Sequence, residues 1–103
     1  MSRVLVEYVF EKPMSEEELA RMAKRIDPCL DARAAVWRRS YLALDRKRMT
    51  CEFEAPDAEV VRETLRGMDM PFERVWAADV FSAEDYPEHL ARLDAVLAKQ
   101  RTK

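Results

Sequence analysis

The chain has 103 residues, of which 49% are hydrophobic and 37% charged, and its 18 basic and 20 acidic side chains leave a net charge of −2. That is one domain, able to bury roughly two-thirds of its unfolded surface in a single core. The balanced charge excludes a general attraction to nucleic acid or anionic membrane, and no apolar run approaches the length of a membrane span. No signal peptide is expected, because Glu7 interrupts the only early apolar run and no small-residue cleavage site follows; the expected address is cytoplasmic.

Residues 3–10 alternate as a first strand, with Val4, Val6, Tyr8 and Phe10 on one face and Leu5, Glu7 and Val9 on the other. Ser15 and Glu18 have the spacing of a capping box, and Leu19, Met22, Ala23, Ile26 and Leu30 then recur at helical period. Asp27-Pro28 is expected to kink or restart this helix, with a short second segment to about Arg33. Residues 37–55 read as a hairpin with a turn at 45–48. Its register sets Leu44 opposite Met49, Leu42 opposite Cys51, Ser40 opposite Phe53, Tyr41 opposite Glu52 and Arg39 opposite Glu54. One face then carries Leu42, Leu44, Met49, Cys51 and Phe53, and the other Arg39, Tyr41, Thr50, Glu52 and Glu54.

Asp57 is the expected N-cap of a second helix whose Val61, Thr64, Leu65 and Met68 share a face. Gly67 is its expected left-handed terminator. Residues 72–81 complete the set as a fourth strand. The order strand, helix, strand, strand, helix, strand predicts a ferredoxin-like α+β sandwich over residues 1–81: a four-stranded antiparallel sheet with both helices on one face. Residues 82–103 add a C-terminal helix with Pro87 at its first position. Its stripe of Leu90, Leu93, Val96 and Leu97 is expected to pack on the same domain or on a dimer mate, and residues 99–103 are expected to fray.

The arrangement leaves one sheet face bare, carrying Leu5, Glu7, Val9, Arg39, Tyr41, Glu52 and Glu54, with Trp37 or Trp76 at its edge. Left wet in a monomer, these are ordinary cross-strand pairs. Paired face to face in a homodimer, they line a cleft in which a small ligand or partner would meet Glu7, Arg39, Tyr41, Glu52 and Glu54. An alternative is a dimeric α/β-barrel enzyme, an isomerase or cofactor-free oxygenase, with Glu7 or Glu52 as general base and Tyr41 or Arg39 steadying an enolate-like oxygen.

Other constellations are weaker. Cys29 and Cys51 lack CxxC spacing and are expected to be reduced. Asp85 and His89, one helical turn apart, fall short of a metal site, and the basic tip around Arg46, Lys47 and Arg48 lacks an aromatic platform for nucleic acid. No dinucleotide, P-loop, nucleophile-elbow or zincin motif occurs, so no catalytic residue, metal ligand or cofactor is assigned.

The segments VLVEYVF, SEEELARMAKRIDPCLD, VWRRSYLALD, RMTCEFEAPDAEVVRETLR and PFERVWAADVF resemble a bacterial domain-of-unknown-function family of small proteins that includes a described nickel-binding protein. The match runs over about residues 3–81, and CEFEAPDAE followed by PFERVW is its most specific part. The resemblance implies a ferredoxin-like fold, commonly dimeric through the sheet, and nickel binding as a further alternative. The chain's one histidine, His89, lies outside the matched region, so a metal in the shared domain would rest on Glu7, Glu52, Glu54 or cysteine sulfur.

Overall fold

In a computed structural model, residues 1–101 are described, the last of them for its backbone only. The chain runs β1 (Ser2–Val9), α1 (Glu16–Asp31), β2 (Val36–Leu42), β3 (Arg48–Ala55), α2 (Ala58–Gly67), β4 (Arg74–Ala78), a 3₁₀ turn (Ala83–Asp85) and α3 (Pro87–Arg101). The sheet order is β2-β3-β1-β4 and every neighbouring pair is antiparallel, which is the ferredoxin-like arrangement. Val4, Val6 and Tyr8 on β1, Met49, Cys51 and Phe53 on β3 and Val75 on β4 face the helices. There they meet Ile26 and Leu30 of α1 and Val61 and Leu65 of α2.

Both helices start as their caps dictate. Ser15 Oγ accepts from the Glu18 backbone N–H at 3.1 Å and donates to the Glu18 carboxylate, and Asp57 accepts from the Val60 N–H at 2.8 Å. Arg25 of α1 donates to the Met68 carbonyl at 2.6 Å, and Arg62 of α2 donates to the Val75 carbonyl at 2.8 Å. The first bond ties α1 to the C-terminal cap of α2, and the second ties α2 to β4.

Several expectations from the sequence need correction. α1 passes through Pro28 without restarting: only three residues of helix follow it, so the single hydrogen bond that proline removes is lost in the final turn. Gly67 is the last residue of α2 and does not have positive φ. The left-handed positions are held by Ala34 (φ 62), Arg46 (φ 64) and Asp69 (φ 55) instead. β4 is half as long as expected.

The hairpin register is two residues away from the expected one: Leu42 faces Met49, Tyr41 faces Thr50, Ser40 faces Cys51 and Arg39 faces Glu52. An even shift preserves both faces, so alternation alone could not detect it. The connection is longer than a turn at 45–48. Ala43 is bonded to Arg48, the Arg46 N–H returns to the Ala43 carbonyl at 2.8 Å, and Leu44 stands fully in solvent. A bulge at Arg38 then moves the register once more, so that Trp37 faces Phe53 and Val36 faces Glu54.

Among the described elements α3 packs only on the 3₁₀ turn, and Leu93, Val96 and Leu97 are exposed along it. The radius of gyration is accordingly 16.6 Å, against about 13 Å for a compact chain of this length. The helix continues to Arg101, through the stretch expected to fray from residue 99; residues 102–103 lie outside those described.

Candidate functional site on the open sheet face

The face turned away from α1 and α2 carries Val36, Arg39 and Tyr41 from β2 and Thr50, Glu52 and Glu54 from β3. Beside them lie Arg3, Leu5, Glu7 and Val9 from β1 and Arg74, Trp76 and Ala78 from β4. All five residues expected to form a ligand site, Glu7, Arg39, Tyr41, Glu52 and Glu54, therefore share this face. They do not form one cluster.

Two polar groups divide them. Arg3 lies between the β3 carboxylates, with Nη1 on Glu52 and Nη2 on Glu54 at 3.1 Å; Arg39 approaches the other Glu52 oxygen at 3.7 Å and Arg38 approaches Glu54 at 3.7 Å. Cross-strand spacing explains the geometry: Arg3 pairs with Glu54 in the β1–β3 ladder, and Glu52 is its diagonal neighbour on the same face. Glu52 is the one charged side chain of this face that is nearly buried, 9% exposed, so its two guanidinium partners compensate a desolvated charge.

The second group is centred on β1. Glu7 Oε2 accepts from Trp76 Nε1 at 2.8 Å and lies 3.9 Å from Arg74 Nε. Trp76 pairs with Leu5, which places it on the open face, whereas Trp37 belongs to the helix side. Tyr41 stands apart, 60% exposed and without a hydrogen bond among the described residues.

Reasoning from sequence missed Arg3, Arg74 and the choice between the tryptophans. Arg3 has the parity of Leu5 and Glu7 on β1 and lies within the strand expected over residues 3–10, so its alternation with them was the signal that could have found it. Both oxygens of Glu52 face guanidinium groups, whereas the two contacts of Glu7, with the Trp76 indole and with Arg74, both fall on Oε2.

A model of the family described as "Nickel responsive protein SCO4226-like" matches residues 5–77. Among solved structures, the chain is similar to the crystal structure of SCO4226 from Streptomyces coelicolor A3(2), with a TM-score of 0.65 at 11% identity, covering 79% of this chain and all of that one. A comparison with curated proteins found no match. The donor set on this chain does not fit a nickel ion. Among the described residues no group of three or more His, Cys, Asp or Glu side chains is placed to hold a metal, the open-face carboxylates are committed to arginines, and His89 sits on α3. No helix among the described residues is long and apolar enough to cross a membrane.

Proposed function

We propose, for a chain that belongs to the SCO4226-like family of nickel-responsive proteins, a noncatalytic homodimer whose open sheet faces meet and enclose a ligand cleft bordered by Glu7, Arg39, Tyr41, Glu52 and Glu54. One observation carries this reading: the uncovered face combines exposed apolar side chains with charges that are paired among themselves. Val36, Tyr41, Val9 and Trp76 are all exposed there, while each glutamate already has an arginine beside it.

A two-fold interface brings the same patch of both copies together, so a surface with a strong charge of either sign would repel itself. This face avoids that repulsion and offers apolar area to bury. α3, whose stripe finds no partner within its own domain, then docks on the mate and adds to the interface. The ligand in the cleft would be a small polar molecule able to exchange with the Arg39–Glu52 contact, the looser of the two made by Glu52.

Native mass spectrometry of tag-free protein, purified without added metal, tests the assembly and the ligand together. A dimer is expected, with any bound molecule appearing as added mass that Arg39→Ala reduces. Leu5→Glu, which sets a carboxylate in the middle of the face, is expected to give a folded monomer. An unmodified chain that sediments as a monomer at high micromolar concentration overturns the reading.

A further inference from the structure

On the opposite side of the sheet, α1 and β2 diverge and leave a cavity of about 330 Å³ that opens to solvent. Its floor is the core surface of Tyr8, Cys51 and Phe53; Ala23 and Ile26 of α1 form one wall and Trp37 of β2 the other. Protein cores are packed without voids of this size, and the volume falls in the range of sites for small molecules, about 300 to 1,000 Å³.

The polar groups around it are few, and three of them are joined to one another. Trp37 Nε1 donates to Ser40 Oγ at 2.9 Å, and the Ser40 hydroxyl donates to Cys51 Sγ at 3.0 Å. This chain of bonds fixes the indole at the cavity wall and leaves its ring available. Tyr8 and Cys51 stay protonated, since burial pushes both the phenol and the thiol up. Two groups have no hydrogen bond among the described residues, the Tyr8 hydroxyl and Asp27 on α1, and Asp27, the one charged side chain at the cavity, has no ion pair either. Its carboxyl is pushed up from its ordinary value by burial and by Asp31 one turn further on, and no cation relieves it.

We infer that this cavity is a binding site for a small hydrophobic amine, its apolar body held between α1 and Trp37 and its ammonium group paired with Asp27. Charge complementarity selects the class: an anion would meet Asp27 and Asp31, and a neutral apolar molecule would leave Asp27 unpaired at the edge of an apolar site. The aromatic wall adds attraction for a cation as well as for an apolar ring. The site lies on the helix side of the sheet and does not depend on the cleft proposed for the open face.

Isothermal titration of the full chain with tryptamine and with indole, the same ring without the ammonium, tests the inference. Tryptamine is expected to bind about tenfold more tightly than indole, the increment of a hydrogen bond to a charged group. Asp27→Asn is expected to remove that preference and leave indole binding unchanged. Ala23→Phe, at an exposed position on the cavity mouth, is expected to abolish binding of both. Failure of tryptamine to bind the unmodified chain, equal affinity for the two, or a preference that survives Asp27→Asn overturns it.

Discussion

The indole nitrogen of Trp76 donates to the carboxylate of Glu7 at 2.8 Å, joining the edge strand β4 to the central strand β1 on the open face. The bond runs diagonally, since Glu7 is paired with Arg74 and Trp76 with Leu5. Trp76→Phe keeps the apolar ring and removes the donor. It is expected to lower stability by about 1 kcal/mol, the net value of one partly exposed hydrogen bond, as read by urea denaturation. Addition of Glu7→Gln to that variant should then cost little more, and a full additive loss would show that Glu7 acts chiefly through Arg74.

Arg3 and Glu52 make a more demanding pair, because the carboxylate is nearly buried. Arg3→Met leaves it with Arg39 alone, and a loss of about 2 kcal/mol is expected, below the cost of breaking a fully buried pair because Arg3 itself is partly exposed. Glu52→Leu on the same background removes the uncompensated charge and is expected to restore most of the loss. A double mutant no more stable than Arg3→Met would show that Glu52 contributes through contacts other than its charge.

The single glycine and the left-handed positions are mismatched. Gly67 sits at the end of α2 with helical backbone, and a Cβ added there would meet nothing within 4 Å. Ala34, just past α1, holds φ 62 while the Ala35 N–H bonds to the Leu30 carbonyl at 2.9 Å. Gly67→Ala and Ala34→Gly are each expected to stabilise the fold by about 1 kcal/mol, the first by helix propensity and the second by relief of left-handed strain. Thermal melts of the two single variants and their combination check both values, which should add because the sites share no partner.

The two thiols should separate by reactivity. Cys29 is exposed, whereas Cys51 is buried, takes the Ser40 hydroxyl as donor, and has its thiol pushed up by desolvation. The thiolate is the reacting species, and a raised value keeps Cys51 protonated where an ordinary cysteine begins to ionise. Titration with an aromatic disulfide reagent near pH 8 should therefore show one fast thiol and a second that reacts only as the protein unfolds. Loss of the fast phase in Cys29→Ser confirms the assignment.

Deletion of residues 82–103 separates the domain from its extension. Among the described elements α3 packs only on the adjacent 3₁₀ turn, so the shortened chain is expected to keep the circular dichroism of the sheet and the two remaining helices. If α3 docks on a mate as proposed, sedimentation should show weaker dimerisation in the shortened chain. Unchanged association with an unchanged fold would leave the stripe of Leu93, Val96 and Leu97 outside the interface.

Much of this was legible from periodicity, and the residues that escaped it share a physical cause. Alternation assigned Val4, Val6 and Tyr8 to the core and Glu52 and Glu54 to the open face, since burial of one sheet face imposes a period of two. The same period is blind to a shift of two, so Leu44 was drawn into the hairpin when it belongs to the loop beyond it. The bulge at Arg38 resets parity within β2, which is why Trp37 and Arg39 face opposite sides although their numbers have the same parity. The Arg3 network and the Asp27 cavity depend on distances across strands and between α1 and β2, which no spacing along the chain encodes. Asp85 and His89 stood out by their spacing of one helical turn and the hairpin tip by its charge, and the structure does not bring them into a common site.

The irregularity at Arg38 has a further consequence for how copies of the chain meet. β2 is an outer strand, and a continuous row of its free amides and carbonyls would invite another sheet to extend it. The bulge interrupts that row with an arginine near its midpoint, and the opposite margin, β4, is only five residues long. Lateral growth into a ribbon of shared strands is discouraged at both borders, which leaves the faces of the sheet, and not its edges, as the surfaces through which the proposed dimer would form.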